Sequence, residues 1–262
     1  MNRIDEMFRC AKNDNRACLI GYITAGDPDL ERSFEIIDAA CEAGLDALEL
    51  GIPFFDPIAD GPVIQRAVSR AIQAGTTLED GIALVNRLRK RFDLPIIVFS
   101  YNTPILAMGT ERFVNDSIEA GADGALIVDM PNENVDDVLR HVNSSKPFSL
   151  IRLITPTTDP EMRREIVSKA TGFVYVVSRR GVTGAGKIDW GPLSAKMSIL
   201  RKETTTPLCI GFGITTPNDV RIASKIADGV IVGSAIQRII EEHPNTAAKI
   251  VSDYIKKLRL SL

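Results

Sequence analysis

The chain has 262 residues, 45% apolar and 25% charged, with a formal net charge of −3. That length suits one closed α/β barrel or two smaller domains, and the apolar share supplies a large core. No Lys/Arg run is dense enough for nucleic acid or an anionic membrane. No apolar run is long enough to span a bilayer, and the charged stretch 1–13 lacks the apolar core of a signal peptide. Cys10, Cys18, Cys41 and Cys209 form no C-x-x-C pair, and His141 and His243 are the only histidines. Reduced, mostly buried thiols in a cytoplasmic protein without a metal site are expected.

In chain order, Ile4, Met7 and Phe8 predict a short amphipathic helix that plugs the bottom of whatever follows. Strands are predicted near 18–23, 46–50, 95–99, 124–128, 148–154, 173–177, 207–211 and 229–232. Their nearly continuous apolar runs match parallel strands covered by helices. Helical spacing fills the gaps at 30–43, 62–74, 78–91, 110–120, 133–143, 160–170, 190–202, 216–226 and 234–241. Caps are expected at Thr76 or Thr77, at Asp159 before Pro160, and at Thr216 before Pro217. A last helix over 246–258 carries Ile250, Val251, Tyr254, Ile255 and Leu258 on one face. Eight strands alternating with helices predict a single-domain (β/α)8 TIM barrel over residues 1–262, because each parallel connection requires a crossover. An open doubly wound sheet is the structural competitor.

In such barrels the chemistry sits where strands end and loops begin. The second predicted strand ends in Glu49, a carboxylate in an apolar strand, where burial would raise its pKa and prepare a general acid/base. An ion-paired or water-facing Glu49 explains the position as well. The loop 51–62 carries Asp56 and Asp60 among prolines and glycines. Asp60 can fold back beside Glu49, or both aspartates can be solvated turn formers. The stretch SRRGVTGAGK, 178–187, reads as a glycine-rich lid or a plain surface loop. Glycines in GFGI (211–214) and GSAI (233–236), with Ser234 opening a helix, suit a phosphate site made from backbone amides and a helix dipole. Tyr175 points either into the barrel or at the helices.

GYITAGDPD (21–29), LELGIPFFDPIADGPVIQRA (48–67), SRRGVTGAG (178–186), GFGI and VGSAI (232–236) together resemble the tryptophan synthase α-subunit family, in order and at its spacing. The resemblance implies retro-aldol cleavage of indole-3-glycerol phosphate, with no metal or organic cofactor in this chain. Glu49 would then do the acid/base work and Asp60 would accept a hydrogen bond from the indole N–H. Tyr175 would help place the substrate, and Tyr22, Phe99, Leu126 and Ile231 would line the indole pocket. Gly184, Phe212, Gly213, Gly233 and Ser234 would hold the phosphate, with Thr183 reaching Asp60 on lid closure. It further implies an αββα heterotetramer with a pyridoxal-phosphate β subunit, met by Pro53, Phe54, Asp56, Asn102 and Pro104. Phe55, Arg180, Gly186 and Lys187 depart from the family's usual forms. Three other readings stay open here: a stand-alone lyase releasing indole, another phosphate-sugar barrel, and a catalytically idle activator of a β subunit.

Overall fold

The computed structural model describes residues 2–142, 147–178 and 188–262. Among them run eight strands: β1 (Cys18–Thr24), β2 (Ala47–Gly51), β3 (Ile96–Ser100), β4 (Gly124–Ile127), β5 (Ser149–Ile154), β6 (Val174–Val177), β7 (Leu208–Gly211) and β8 (Gly229–Val232). All pair in parallel in sequence order, and β1 closes on β8, so the barrel is complete and no open sheet forms. Alternate residues of each strand face inward. Ile20, Tyr22, Ala47, Ile97, Phe99, Leu126, Ile151, Phe173, Tyr175, Cys209 and Ile231 make up the interior cluster. Their neighbours in sequence, such as Leu48, Val98 and Val174, join the outer cluster beneath the helices.

The outer ring begins with α2 (Leu30–Glu42), α3 (Pro62–Gln73) and α4 (Leu78–Arg89). Thr77 is the cap of α4, in a reciprocal box with Asp80. Asp159 caps α8 (Pro160–Lys169), and Thr216 caps α10 (Pro217–Ala223) with Asp219. The ring continues through α6 (Thr110–Ala120), α9 (Trp190–Glu203) and α11 (Ser234–Glu242). Two segments differ from the sequence reading. A short helix, α5 (Asn102–Met108), follows β3 in a stretch to which the sequence reading assigns no element. The helix expected over 133–143 is a 3-10 turn, Asn132–Asn134, leading into the five-residue α7, Val135–Leu139. Asn132, Asn134, Asp136 and Asp137 are poor helix formers, and they shorten it.

The first helix, α1 (Arg3–Asn13), stoppers the bottom. Ile4, Met7, Phe8 and Ala11 are buried in the interior cluster, and the Phe8 ring meets Phe173 edge-on at 6.1 Å. The last, α12 (Ala247–Arg259), buries Val251, Ile255 and Leu258 in the outer layer. Cys18, Cys41 and Cys209 are buried and Cys10 is exposed, all as free thiols. No described helix is long and apolar enough to cross a membrane.

Candidate active site

Ala47 and Glu49 share the inner face of β2, so the alternation of the strand aims the Glu49 carboxylate into the barrel. Register sets it beside Tyr22 of β1 and Ile97 of β3. It is fully buried, and neither carboxylate oxygen has a hydrogen-bond partner among the described residues. Desolvation alone pushes its pKa up to about 8. The ion-paired and water-facing alternatives therefore both fail. Burial thus favours the protonated form of Glu49 near neutral pH.

Asp60 ends the loop after β2, just before the chain enters α3 through Gly61 and Pro62. It is 7% exposed, whereas Asp56 on the same loop faces solvent. Burial raises its pKa to about 6, against the pull of the Tyr101 hydroxyl, which donates to Oδ2 at 2.9 Å. The same hydroxyl accepts from the Ala59 backbone N–H at 3.1 Å, which pins the loop. Between about pH 6 and 8, Asp60 thus favours its anion while Glu49 keeps its proton. Tyr101 was missed from sequence, although it directly follows β3 and the end of every strand in a barrel is a place to look.

One cleft at the C-terminal end of the strands is lined by Tyr22, Glu49, Asp60, Phe99, Tyr175, Phe212, Gly213, Ile231, Gly233 and Ser234. These are all of the expected catalytic, substrate and phosphate residues within the described chain but one: Leu126 is buried in the barrel interior and does not line the cleft. Ile64 and Ile214 line it too and were not anticipated. Tyr175 points inward. Its ring meets Phe212 edge-on at 5.8 Å, and its hydroxyl sits where a Cβ on Gly211 would fall, 1.9 Å away. Only glycine allows that approach. Tyr22 and Phe99 form a second edge-on pair at 5.1 Å. Thr183 and Gly184, like Arg180, Gly186 and Lys187, lie outside the described residues.

The far side of the cleft is built from backbone. Gly233 caps α11 without any side-chain hydrogen bond, so the first N–H groups of this helix are left open beside Ser234. Phe212 holds a left-handed backbone (φ 71°) and Gly213 another (φ 84°). For Phe212 that conformation costs about 1–3 kcal/mol. The Ser178 hydroxyl donates to the Phe212 carbonyl and helps hold the turn. No lysine or arginine lines the cleft among the described residues. An anion here would be held by amides and the dipole of α11.

The residues expected at a partner interface sit on one rim. Asp56 is exposed, Phe54, Asn102 and Pro104 are half-buried, and Pro53 is buried. Phe55, Ile58 and Leu106 beside them are exposed apolar side chains at 79%, 67% and 56%. The Phe54 ring packs against Phe55 at 4.6 Å and Tyr101 at 5.4 Å. The rim therefore touches the residue that holds Asp60.

Residues 8–260 match the family model described as tryptophan synthase alpha chain. The tryptophan synthase alpha chain of Desulfatibacillum aliphaticivorans is 42% identical over 261 residues, 99% of this chain and 98% of that one. That of Geobacter sulfurreducens is 41% identical, again covering 99% and 98%. Among solved structures, tryptophan synthase subunit alpha from Legionella pneumophila superposes with a TM-score of 0.90 at 34% identity, covering 100% of this chain and 98% of that one. Tryptophan synthase from Mycobacterium tuberculosis gives a TM-score of 0.91 at 29% identity, covering 99% and 98%. With barrel, paired carboxylates and matching sequence all in agreement over nearly its whole length, this chain belongs to the tryptophan synthase alpha chain family.

Proposed function

We infer that the chain, acting as one domain, cleaves indole-3-glycerol phosphate into indole and glyceraldehyde 3-phosphate in the last steps of tryptophan biosynthesis. One observation carries the assignment of roles: two buried carboxyl groups line one cleft in unlike surroundings, Glu49 in an apolar strand without a hydrogen-bond partner among the described residues and Asp60 accepting from the Tyr101 hydroxyl, which sets their pKa values apart. Protonated Glu49 delivers its proton to C3 of the indole, which turns the ring into an electron sink. Anionic Asp60 accepts from the ring N–H and stabilises the positive charge that develops there. The C–C bond then breaks, its electron pair returns to the ring, and the glycerol hydroxyl proton passes to Glu49, which is restored. Tyr22, Phe99, Tyr175 and Ile231 supply the walls for the ring. The phosphate rests on Gly213, Gly233, Ser234 and the turn at Phe212, and its binding orients the distant bond. Thr183 and Gly184 have roles in this reading as lid residues over Asp60 and the phosphate.

The chain needs no cofactor of its own. Its partner is a β subunit carrying pyridoxal phosphate, in an αββα assembly that receives the indole. The exposed apolar rim supports that docking surface, and Phe54 packed on Tyr101 offers the β subunit a physical handle on Asp60. Four free thiols fit a cytoplasmic location.

Mixing the purified chain with indole-3-glycerol phosphate, alone and with a β subunit, tests the reading. Slow release of indole alone and strong acceleration with the partner are expected. Equal turnover in both would favour a free-standing lyase, and no indole in either would end the enzymatic reading. Tyr101→Phe removes the hydrogen bond that lowers the Asp60 pKa. The acid limb of the kcat/KM profile, expected near pH 6, should move upward, because Asp60 then takes up its proton at higher pH. An unmoved limb would detach Asp60 from that titration.

A further inference from the structure

Arg152 is a cation in an unexpected place. It lies within β5 on the outward face, between Leu150 and Ile154, both of which belong to the apolar outer layer. It is 7% exposed. Nη2 donates to Oδ1 of Asn132, but Nη1 has no hydrogen-bond partner among the described residues. Glu165, the acid that acts on it, does so only through space, and burial pulls the guanidinium below its ordinary range. A buried cation without a counter-charge is costly, and a methionine of similar volume would cost less.

The guanidinium borders a pocket of about 320 Å³ between the segment after β4 and helix α8. Met130, Met162 and Ile166 form apolar walls, and Glu133 stands at the exposed rim. The Asn132 side-chain amide, its oxygen already taken by Arg152, turns its N–H donors toward Met162. The volume is that of a small-molecule site. The pocket shares no lining residue with the active-site cleft and stands independently of the function assigned there.

We propose that this pocket is a second ligand site, taking a small carboxylate with an apolar tail. Its oxygens meet Nη1 of Arg152 and the Asn132 amide, and its tail lies against Met130, Met162 and Ile166. Two sources share that chemistry: an aliphatic acid, and an apolar amino acid whose ammonium would face Glu133.

Calorimetric titration of the full chain with 4-methylpentanoate, L-leucine and neutral 4-methylpentanamide tests the proposal. At least one acid should bind saturably, and the amide about 10–100-fold more weakly, the usual worth of a charge-assisted hydrogen bond. Tighter binding of leucine would assign the site to an amino acid, and the reverse to an aliphatic acid. Arg152→Met should weaken the acid by a similar factor while keeping or raising the melting temperature, and Arg152→Lys should fall between. Failure of both acids to bind by about 10 mM, or equal affinity in Arg152→Met, would overturn the site. So would a crystal grown in saturating acid with only water at Nη1. Should Arg152→Met not fold, the acid-against-amide comparison on the unaltered chain still decides.

Discussion

Glu49→Gln is expected to lower cleavage of indole-3-glycerol phosphate by about 10²–10⁴-fold and, in the same molecule, to stabilise the fold at neutral and alkaline pH. The second effect follows from the first residue's burial. In the folded chain Glu49 titrates near 8, against 4.5 for an ordinary glutamate. Below pH 4.5 the carboxyl is neutral folded or unfolded, and its titration costs the fold nothing. Between 4.5 and 8 the unfolded chain ionises while the folded chain keeps its proton, so stability falls as pH rises. Above 8 the penalty levels off, on the order of 3–5 kcal/mol. Glutamine is neutral throughout and escapes it. Urea unfolding at pH 4, 7 and 9 should therefore show a gain that is small at the first and grows to the last. A pH-independent difference, or turnover within about threefold of the unaltered chain, would remove Glu49 from the role of proton donor.

Arg70→Met should cost the fold about 3–5 kcal/mol, the usual result of orphaning one half of a buried ion pair. Arg70 grips the fully buried Asp27 with two bonds, Nε to Oδ1 at 2.7 Å and Nη2 to Oδ2 at 2.9 Å. Its third nitrogen donates to Glu241 at 3.1 Å, and Arg66 holds the same Glu241. The cluster thus ties the loop after β1 to α3 and α11, the helices that follow Asp60 and begin at Ser234. Burial already keeps the Asp27 carboxyl above the ordinary 3.8, and losing Arg70 raises it further. The deficit should then be full at neutral pH and shrink as pH falls, because the folded variant takes up a proton on Asp27 before the folded original does. Adding Asp27→Leu should recover most of the loss, since the charge that lacked a partner is gone. An Arg70→Met chain as stable as the original would show that solvent, not Arg70, satisfies Asp27.

Much of this barrel was written in its hydrophobic runs. All eight strands fall within a residue of where Val, Ile and Leu cluster, because a strand buried on both faces has few other ways to be composed. Boundaries drifted where a strand ends in Gly51 or Ser100, which carry no apolar signal. Helix α5 was invisible: seven residues with Pro104 third cannot show a period. The site was legible in part. Glu49 stood out as a charge in an apolar strand, but choosing Asp60 over Asp56 required knowing which side of the loop turns inward, and spacing does not encode that. Tyr101 and Ile64 matter through contacts made across the fold. Arg152 carried the same signal as Glu49, a charge within FSLIRLI, and it is the outward face of β5 that sends it to a different pocket.

The helix that closes the foot of the barrel has a consequence for traffic. With Phe8 seated on Phe173, the foot of the barrel is plugged among the described residues, and the cleft that holds Glu49 lies at the opposite end. Delivery of indole to a neighbouring enzyme then turns on what stands at the mouth of the barrel, which places the direction of flow in the hands of the docked subunit.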